Sequence, residues 1–383
     1  MRPLIRGLFV VALALSCASA GAIACPLCMG ALQQSKAQEL VAAPHAVLAA
    51  PTADPKRFRV IEVVKGERPA SGTVEGGYPR NGPAFEAAGS TSGKAVLLVR
   101  DDLFPTWTIL GTIGADHLGW LRRLAAGKPA AEMDAEDWRA RGALVLPHLE
   151  SREPLAAEIA YGELAAAPYP ALRTLKARLD APAVRRWVAD PERLARQPLY
   201  LLLLGIAGRA QDADGLEQRL DAAWAAGDAT NVGPMLAADL ELRGPARMAW
   251  VDARYLRDRR RSTRELEAAL LALSVQGNAN GVIPRERVIQ SYRTFIEEHR
   301  DVAGFVAQDL ATWQHWDAVP EYVALMKSST PQQYPSRMAI AGYLRQYLRE
   351  HPTASAIDLP LPGVADPPAG VARMASPVGA LPK

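Results

Sequence analysis

The chain has 383 residues, 49% of them hydrophobic and 22% charged, with a formal net charge of +3. That length is enough for two domains, each with its own core. The charge falls by two more if Arg2 and Arg6 are removed with an export signal, and so near-neutral a chain excludes a nucleic-acid binder with a concentrated basic field.

Residues 1–24 have the layout of such a signal. Arg2 and Arg6 form a positive start, Leu8 to Leu15 is an apolar stretch, and two small-x-small cleavage sites follow at Ala18-Ser19-Ala20 and Ala22-Ile23-Ala24. Cutting after Ala24 makes Cys25 the first mature residue. The expected location is periplasmic or secreted, with lipid anchoring at Cys25 as the lesser alternative, because Ala22 stands where a lipobox usually has Leu. No later apolar run approaches the ~20 residues of a membrane span.

Cys17 leaves with the signal, so Cys25 and Cys28 have only each other. In an oxidising compartment the pair is expected to form a disulfide, and so short a loop gains little from closure. A redox role would use the start of the following helix to depress a thiolate. A metal role would need further ligands, for which His45, His117 and His148 are the nearest in sequence. Haem attachment is excluded by Met29, which stands where a histidine is required.

Residues 25–113 read as a small β-rich domain behind a helix at Met29 to Ala42. Strands are expected at His45–Ala49, Phe58–Val64, Ala95–Val99 and Thr106–Ile113. In the last, Trp107, Ile109, Gly111 and Ile113 alternate with more polar positions, as a strand with one buried face requires. Seven glycines and three prolines between Gly66 and Gly93 mark turns and loops. Ala88 to Ala95 superficially resembles a phosphate loop, but Ala replaces the required Gly and Ser/Thr, and a strand follows instead of a helix.

Residues 114–150 are expected to be a helical connector and 151–351 a run of roughly six helix pairs, each about the size of one α-solenoid layer. Start signals recur at Asp180-Ala-Pro182, Asp190-Pro191-Glu192, Gly244-Pro245, Ile283-Pro284 and the capping box Ser262-Thr-Arg-Glu265. The last opens an apolar stripe of Leu266, Ala269, Leu270 and Leu273, and Leu199, Leu202, Leu203 and Ile206 form another. Asp212-Ala-Asp214-Gly215 with Glu217 lacks the remaining ligands of a calcium loop and reads as a helix start. Arg257 to Arg261 reads as a solvated helix end. Residues 352–383 are rich in Pro, Gly and Ala, and disorder is expected there.

No complete catalytic motif occurs, and no cofactor is called for. Trp313-Gln-His-Trp316 falls at a junction between helices, where aromatic residues serve either as core or as a binding surface. Trp313 and Trp316 are therefore the candidate binding residues.

Cys25 to Cys28, the Phe58-Arg-Val-Ile-Glu-Val-Val-Lys-Gly66 segment and the strand at Ala95 to Val99 together resemble the netrin/TIMP-like domain family. Over about 90 residues that resemblance implies an OB fold and, for some members, protease inhibition through the terminal cysteine amine. This chain has Cys-x-x-Cys where the family usually has Cys-x-Cys, and it lacks the partner cysteines further on. Most of the mature chain looks similar to a group of uncharacterised secreted bacterial proteins with Cys-Pro-x-Cys, a small β-domain and a HEAT-like helical region. The matching stretches are Ala160 to Leu164 with Ala167 to Tyr169, Arg186 to Glu192, and Gly281 to Arg287.

The expectation is thus an α+β multidomain chain: a small β-barrel, OB-like, followed by an all-α HEAT-like solenoid. The expected role is non-enzymatic binding or scaffolding of a protein or envelope component. Thiol-disulfide or metal handling at Cys25 and Cys28, and protease inhibition, are the alternatives. N-terminal sequencing of the exported protein should begin at Cys25 or Gly21; Met1 on a cytoplasmic protein would overturn the export reading.

Overall fold

The computed structural model describes residues 27, 35–77, 94–103, 106–279 and 281–352. The expected signal segment, Cys25, Cys28, most of the phosphate-loop-like segment and nearly all of the C-terminal tail lie outside the described residues. The chain is α+β, with a small five-stranded sheet followed by many helices. It divides into two compact units at Leu179/Asp180.

The first unit opens with α1 (Lys36–Ala42), whose N-cap Ser35 and Gln38 bond reciprocally and whose Ala37, Leu40 and Val41 are buried. Five strands follow: β1 (His45–Pro51), β2 (Arg57–Lys65), β3 (Thr73–Gly77), β4 (Lys94–Arg100) and β5 (Trp107–Gly114). Pairing runs β1-β2-β3-β5-β4 and returns to β1. All pairs are antiparallel except β3 with β5, where Gly76 lies beside Trp107 and Gly77 beside Thr108. Val47, Ala49, Phe58, Val60, Val74, Val96, Leu98, Trp107 and Ile109 share one core. A Cβ on Gly76 would come within 2.6 Å of the Phe58 ring, so only glycine lets β3 lie this close to that core.

Ala95 to Val99 is buried at every position, as a continuously apolar strand implies. Four helices follow the sheet, α2 (Leu118–Ala125), α3 (Ala135–Val145), α4 (Pro154–Ala166) and α5 (Tyr169–Arg173), of which α2 and α4 lie on its strands. α2 lies on β2, where the Arg122 Nε donates to the Val63 carbonyl at 2.8 Å. α4 packs against β5, α1 and α3, and Glu153 just before it pairs with Lys94 of β4 at 3.1 Å. Between α3 and α4 the buried Arg141 meets the buried Glu163 at 3.2 Å and also donates to the Lys128 carbonyl.

The expected boundary at 150/151 falls inside the first compact unit, which runs to Leu179. α4 is apolar nearly all round, burying Leu155, Ala156, Ala157, Ile159, Ala160 and Leu164. Such a helix needs cover on several sides, and β5, α1 and α3 provide it.

The second unit contains α6 (Ala181–Ala189), α7 (Gln197–Ala207), α8 (Ala210–Ala226), α9 (Val232–Arg243), α10 (Met248–Val251), α11 (Thr263–Asn278), α12 (Arg285–Glu298), α13 (Ala307–Thr312), α14 (Val319–Lys327) and α15 (Tyr334–Glu350). Packing is between near neighbours in the chain: α6 with α7, α7 and α8 with α9, α9 with α11, α11 with α12, and α13 and α14 with α15. The capping box at Ser262 and Glu265 forms, and Leu266, Ala269, Leu270 and Leu273 are buried behind it. Asp190 caps a 3-10 helix, Pro191–Arg196, where an α-helix was expected. Asp212 serves the start of α8, accepting from the Arg209 backbone N–H at 2.7 Å and gripping Arg185 at 2.6 and 3.0 Å.

α7 buries more than the expected stripe, since Tyr200, Leu201 and Leu204 are withdrawn along with Leu199, Leu202, Leu203 and Ile206. The crossing with α9 is tight: a Cβ on Gly205 would lie 2.6 Å from the Ala238 Cα. Among the described residues no helix is long and apolar enough to cross a membrane.

Leu203 has 0% exposure. A carboxylate placed there without a cation costs several kcal/mol. Leu203→Asp is expected to remove more helical circular dichroism than α7 alone contributes; unchanged melting would show that α7 is not central to the unit.

Candidate functional site

The two expected tryptophans are half-buried and belong to different aromatic groups. Gln314 adopts the left-handed conformation (φ 54°) and breaks the chain direction just after α13. Before that turn, the Trp313 ring stacks on Tyr292 at 5.6 Å, lies under Arg285 and donates from Nε1 to the Asn278 side chain at 2.7 Å. After it, Trp316 meets Tyr343, Tyr347 and His351 on and beyond α15. Trp313 thus serves the α11–α12–α13 junction and Trp316 the α15 junction. The structure does not join them into one aromatic surface.

Near Trp313, the Tyr292 hydroxyl donates to Asp309 at 2.6 Å. Burial pushes the Asp309 carboxyl above its ordinary range, with hydrogen bonds from Tyr292, Ser274 and Asn278 opposing. Burial also pushes Tyr292 well up. Burial likewise raises Glu163 and Asp239, against their arginine partners.

The histidines nearest the Cys pair in sequence do not form one group. His45 pairs with Asp102 at 3.0 Å. His117 and His148 approach edge to face at 5.6 Å, and the Trp120 Nε1 donates to the His117 Nδ1 at 2.8 Å. Burial, then His117 and Arg123, lower the His148 ring. Among the described residues, no group of three or more His, Cys, Asp or Glu side chains could hold a metal.

A different cluster presents a tryptophan to solvent. Trp224, near the end of α8, is 47% exposed. Its ring faces the guanidinium of Arg254 at 4.7 Å and that of Arg261 at 4.8 Å. Arg254 also lies 5.0 Å from Trp250, which Arg247 covers at 3.6 Å, and Arg261 also covers Tyr255 at 4.6 Å. The order Arg247, Trp250, Arg254, Trp224, Arg261, Tyr255 alternates cation and aromatic ring throughout.

Local backbone geometry makes this alternation. Gly244 ends α9 in the left-handed conformation (φ 68°), Pro245 follows, and α10 begins three residues later. A π-helical turn, Asp252–Leu256, then takes over from α10. Such turns insert one residue into a helix and recur at functional sites. Within the turn, the buried Asp252 accepts from Ser291 and Arg287, each at 2.5 Å, which anchors the turn to α12.

Arginine at 247, 254 and 261 recurs every seven residues with Trp250 and Tyr255 between, a spacing visible in the sequence and overlooked. Trp224 comes from another helix and leaves no such local signal. The expected solvated cluster at Arg257 to Arg261 is also corrected. Arg259 and Arg260 are exposed, but the Arg261 side chain is only 2% exposed. Arg261 donates to the Arg254 carbonyl at 2.8 Å and to Glu265 at 2.7 Å while lying beneath two rings. Each such contact contributes about 2 kcal/mol when desolvated, which helps to offset removal of the charge from water.

Directly after Trp224, Gly227 turns the chain (φ 64°) into a cleft of about 350 Å³ lined by Gly227, Asp228, Ala229, Thr230, Ser262 and Arg264. Asp228 accepts from the Thr230 backbone N–H at 2.8 Å, and hydrogen bonding from Thr230 holds its carboxyl below the usual range. Hydrogen bonds to Arg260, against some burial, hold Asp258 down at about 2.

The raised Asp309 fixes the sign of a pH effect. The folded state favours the protonated form, so this group's contribution is complete below its unfolded value and is lost as pH rises through the folded one. Asp309→Asn keeps an acceptor for Tyr292. It is expected to match the wild type only at pH below the carboxyl's ordinary value of 3.8 and to melt higher at neutral pH, by roughly 2–4 °C for each kcal/mol in a unit of this size. A lower melting temperature than wild type at neutral pH would overturn that account.

Comparison with protein-family models, with curated proteins and with solved structures finds no match for this chain.

Proposed function

We propose that this chain is an exported, non-enzymatic binding protein that recognises its partner through the surface of the helical unit around Trp224. The observation that carries the reading is the exposed Trp224 ring fixed by Arg254 and Arg261. A buried guanidinium, a π-helical turn and alternating rings are more than α8 needs in order to pack on α9. They hold a large amphipathic side chain rigid at the surface, and tryptophan and arginine are enriched among residues that dominate binding energy.

Two finer readings accompany this proposal. The strand order β1-β2-β3-β5-β4, closing onto β1 with β3 and β5 parallel, supports an OB-like barrel for the first unit. Packing between helices close in sequence supports a HEAT-like solenoid for the second.

A photo-crosslinking residue at Ala225, beside Trp224, tests the proposal in cells exporting the full chain. The expected result is one envelope-compartment product that Trp224→Ala reduces about tenfold, the loss of about 1.4 kcal/mol of binding. Equal capture by the Trp224→Ala chain, or capture only by cytoplasmic components, would overturn it.

A further inference from the structure

Trp224 is joined to the polar cleft by chain continuity at two points. Three residues after it Gly227 enters the cleft wall, and the Arg261 beneath its ring is followed at once by the cleft residue Ser262. We propose that Trp224 and this cleft form a saccharide-binding site, which rests on the reading of the helical surface as the binding face and names its ligand class.

The chemistry of the lining selects that class. Arg264 is exposed, and among the described residues no carboxylate lies within ion-pair distance of it, so its guanidinium offers donors to a ligand. Asp228 offers acceptors: its carboxylate holds the Thr230 backbone N–H and keeps further lone pairs. A simple anion at Arg264 would meet Asp228, and a simple cation at Asp228 would meet Arg264. A hydroxyl both donates and accepts, so a ring carrying several hydroxyls satisfies the two groups together.

The aromatic component matches. One face of a pyranose presents C–H groups, which would pack on the part of the Trp224 indole that Arg254 and Arg261 leave exposed, while its hydroxyls point outward to polar partners. Arg254 and Arg261 hold the Trp224 ring in place, so little side-chain freedom remains to be lost on binding. The cleft is about the size of a small-ligand site and opens to solvent, which would let it take one residue of a longer chain.

The test uses the full chain labelled with 5-fluorotryptophan, the Trp224 resonance being assigned with Trp224→Phe. Maltotriose and triacetylchitotriose are the probes, followed by fluorine NMR. The expected result is a saturable shift of the Trp224 resonance with one of them, with Kd on the order of 1 mM. Arg264→Ala and Asp228→Ala are each expected to weaken that binding about tenfold; Arg264→Ala is expected to leave the melting temperature unchanged, whereas Asp228→Ala also removes the acceptor of the Thr230 backbone N–H.

No movement of Trp224 with either sugar overturns the proposal, and so does a shift that both cleft variants leave intact. A glutamate-rich peptide that moves Trp224 when neither sugar does also overturns it, yet keeps Trp224 as a binding residue. Movement confined to Trp313 or Trp316 overturns it too, and relocates the binding face within the helical unit. Silence from every tryptophan, together with no cross-link at Ala225, removes both this proposal and the broader one.

Discussion

An arginine cannot shed its charge, so wherever one is buried the surrounding chain must meet it on every side. The helical unit around α8 to α12 is organised by that constraint. Asp239, fully buried on α9, holds Arg243 at 2.9 Å and Arg247 at 2.6 Å, and Glu217 of α8 meets the same two arginines. Arg247 then lies on Trp250, and the alternation of cations and rings continues to Arg261. What begins as an ion-pair network inside the helices emerges at the surface as a rigid Trp224. Carboxylates and a backbone carbonyl meet most of the guanidinium edges and rings cover the faces, so the two kinds of partner do not compete for the same atoms, while Arg247 Nη2 and Arg254 Nε are buried without a hydrogen-bond partner.

The first unit solves a different problem, that of closing a small sheet and covering it. Close approach does much of this. Gly76 admits the Phe58 ring, and Gly162 on α4 comes so near Ser35 that a Cβ there would lie 2.8 Å from the Ser35 Cβ. Arg141 and Glu163 then tie α3 to α4 where neither reaches water. Burial raises the Glu163 carboxyl despite its arginine, so the pair adds less to stability than its geometry suggests. Its removal from one side only would still be costly, because the remaining charge would have no partner.

Local signals were legible in the sequence. The alternation at Trp107 to Ile113 marks a strand, and Ser262 with Glu265 marks a helix start. Asp190-Pro191 marks a start too, though of a 3-10 helix. These features depend on residues within one or two turns of each other, and short-range chemistry decides them. The end of the first unit was not legible, because it depends on α4 finding cover against β5, a contact between segments far apart in the chain. Trp224 was missed for the same reason, and Arg261 was read as solvated because its neighbours Arg259 and Arg260 are. The pairing of Trp313 with Trp316 failed at a single residue, Gln314, whose left-handed backbone sends the two rings to different partners. Arginines recurring at seven were the one available clue to the surface site.

The π-helical turn also makes the site sensitive to chain length in a way that substitutions do not reveal. Each residue of an α-helix advances the side chains by about 100°. Removing Asp252 or Ala253 would let α10 continue as an ordinary helix and turn everything beyond the cut by that angle. Arg254 would swing away from Trp224 and Trp250 even with its identity unchanged. Among natural variants of this chain, single-residue insertions or deletions between Val251 and Leu256 should therefore be counted separately from point changes, as alterations of helical phase that dismantle the surface at one stroke.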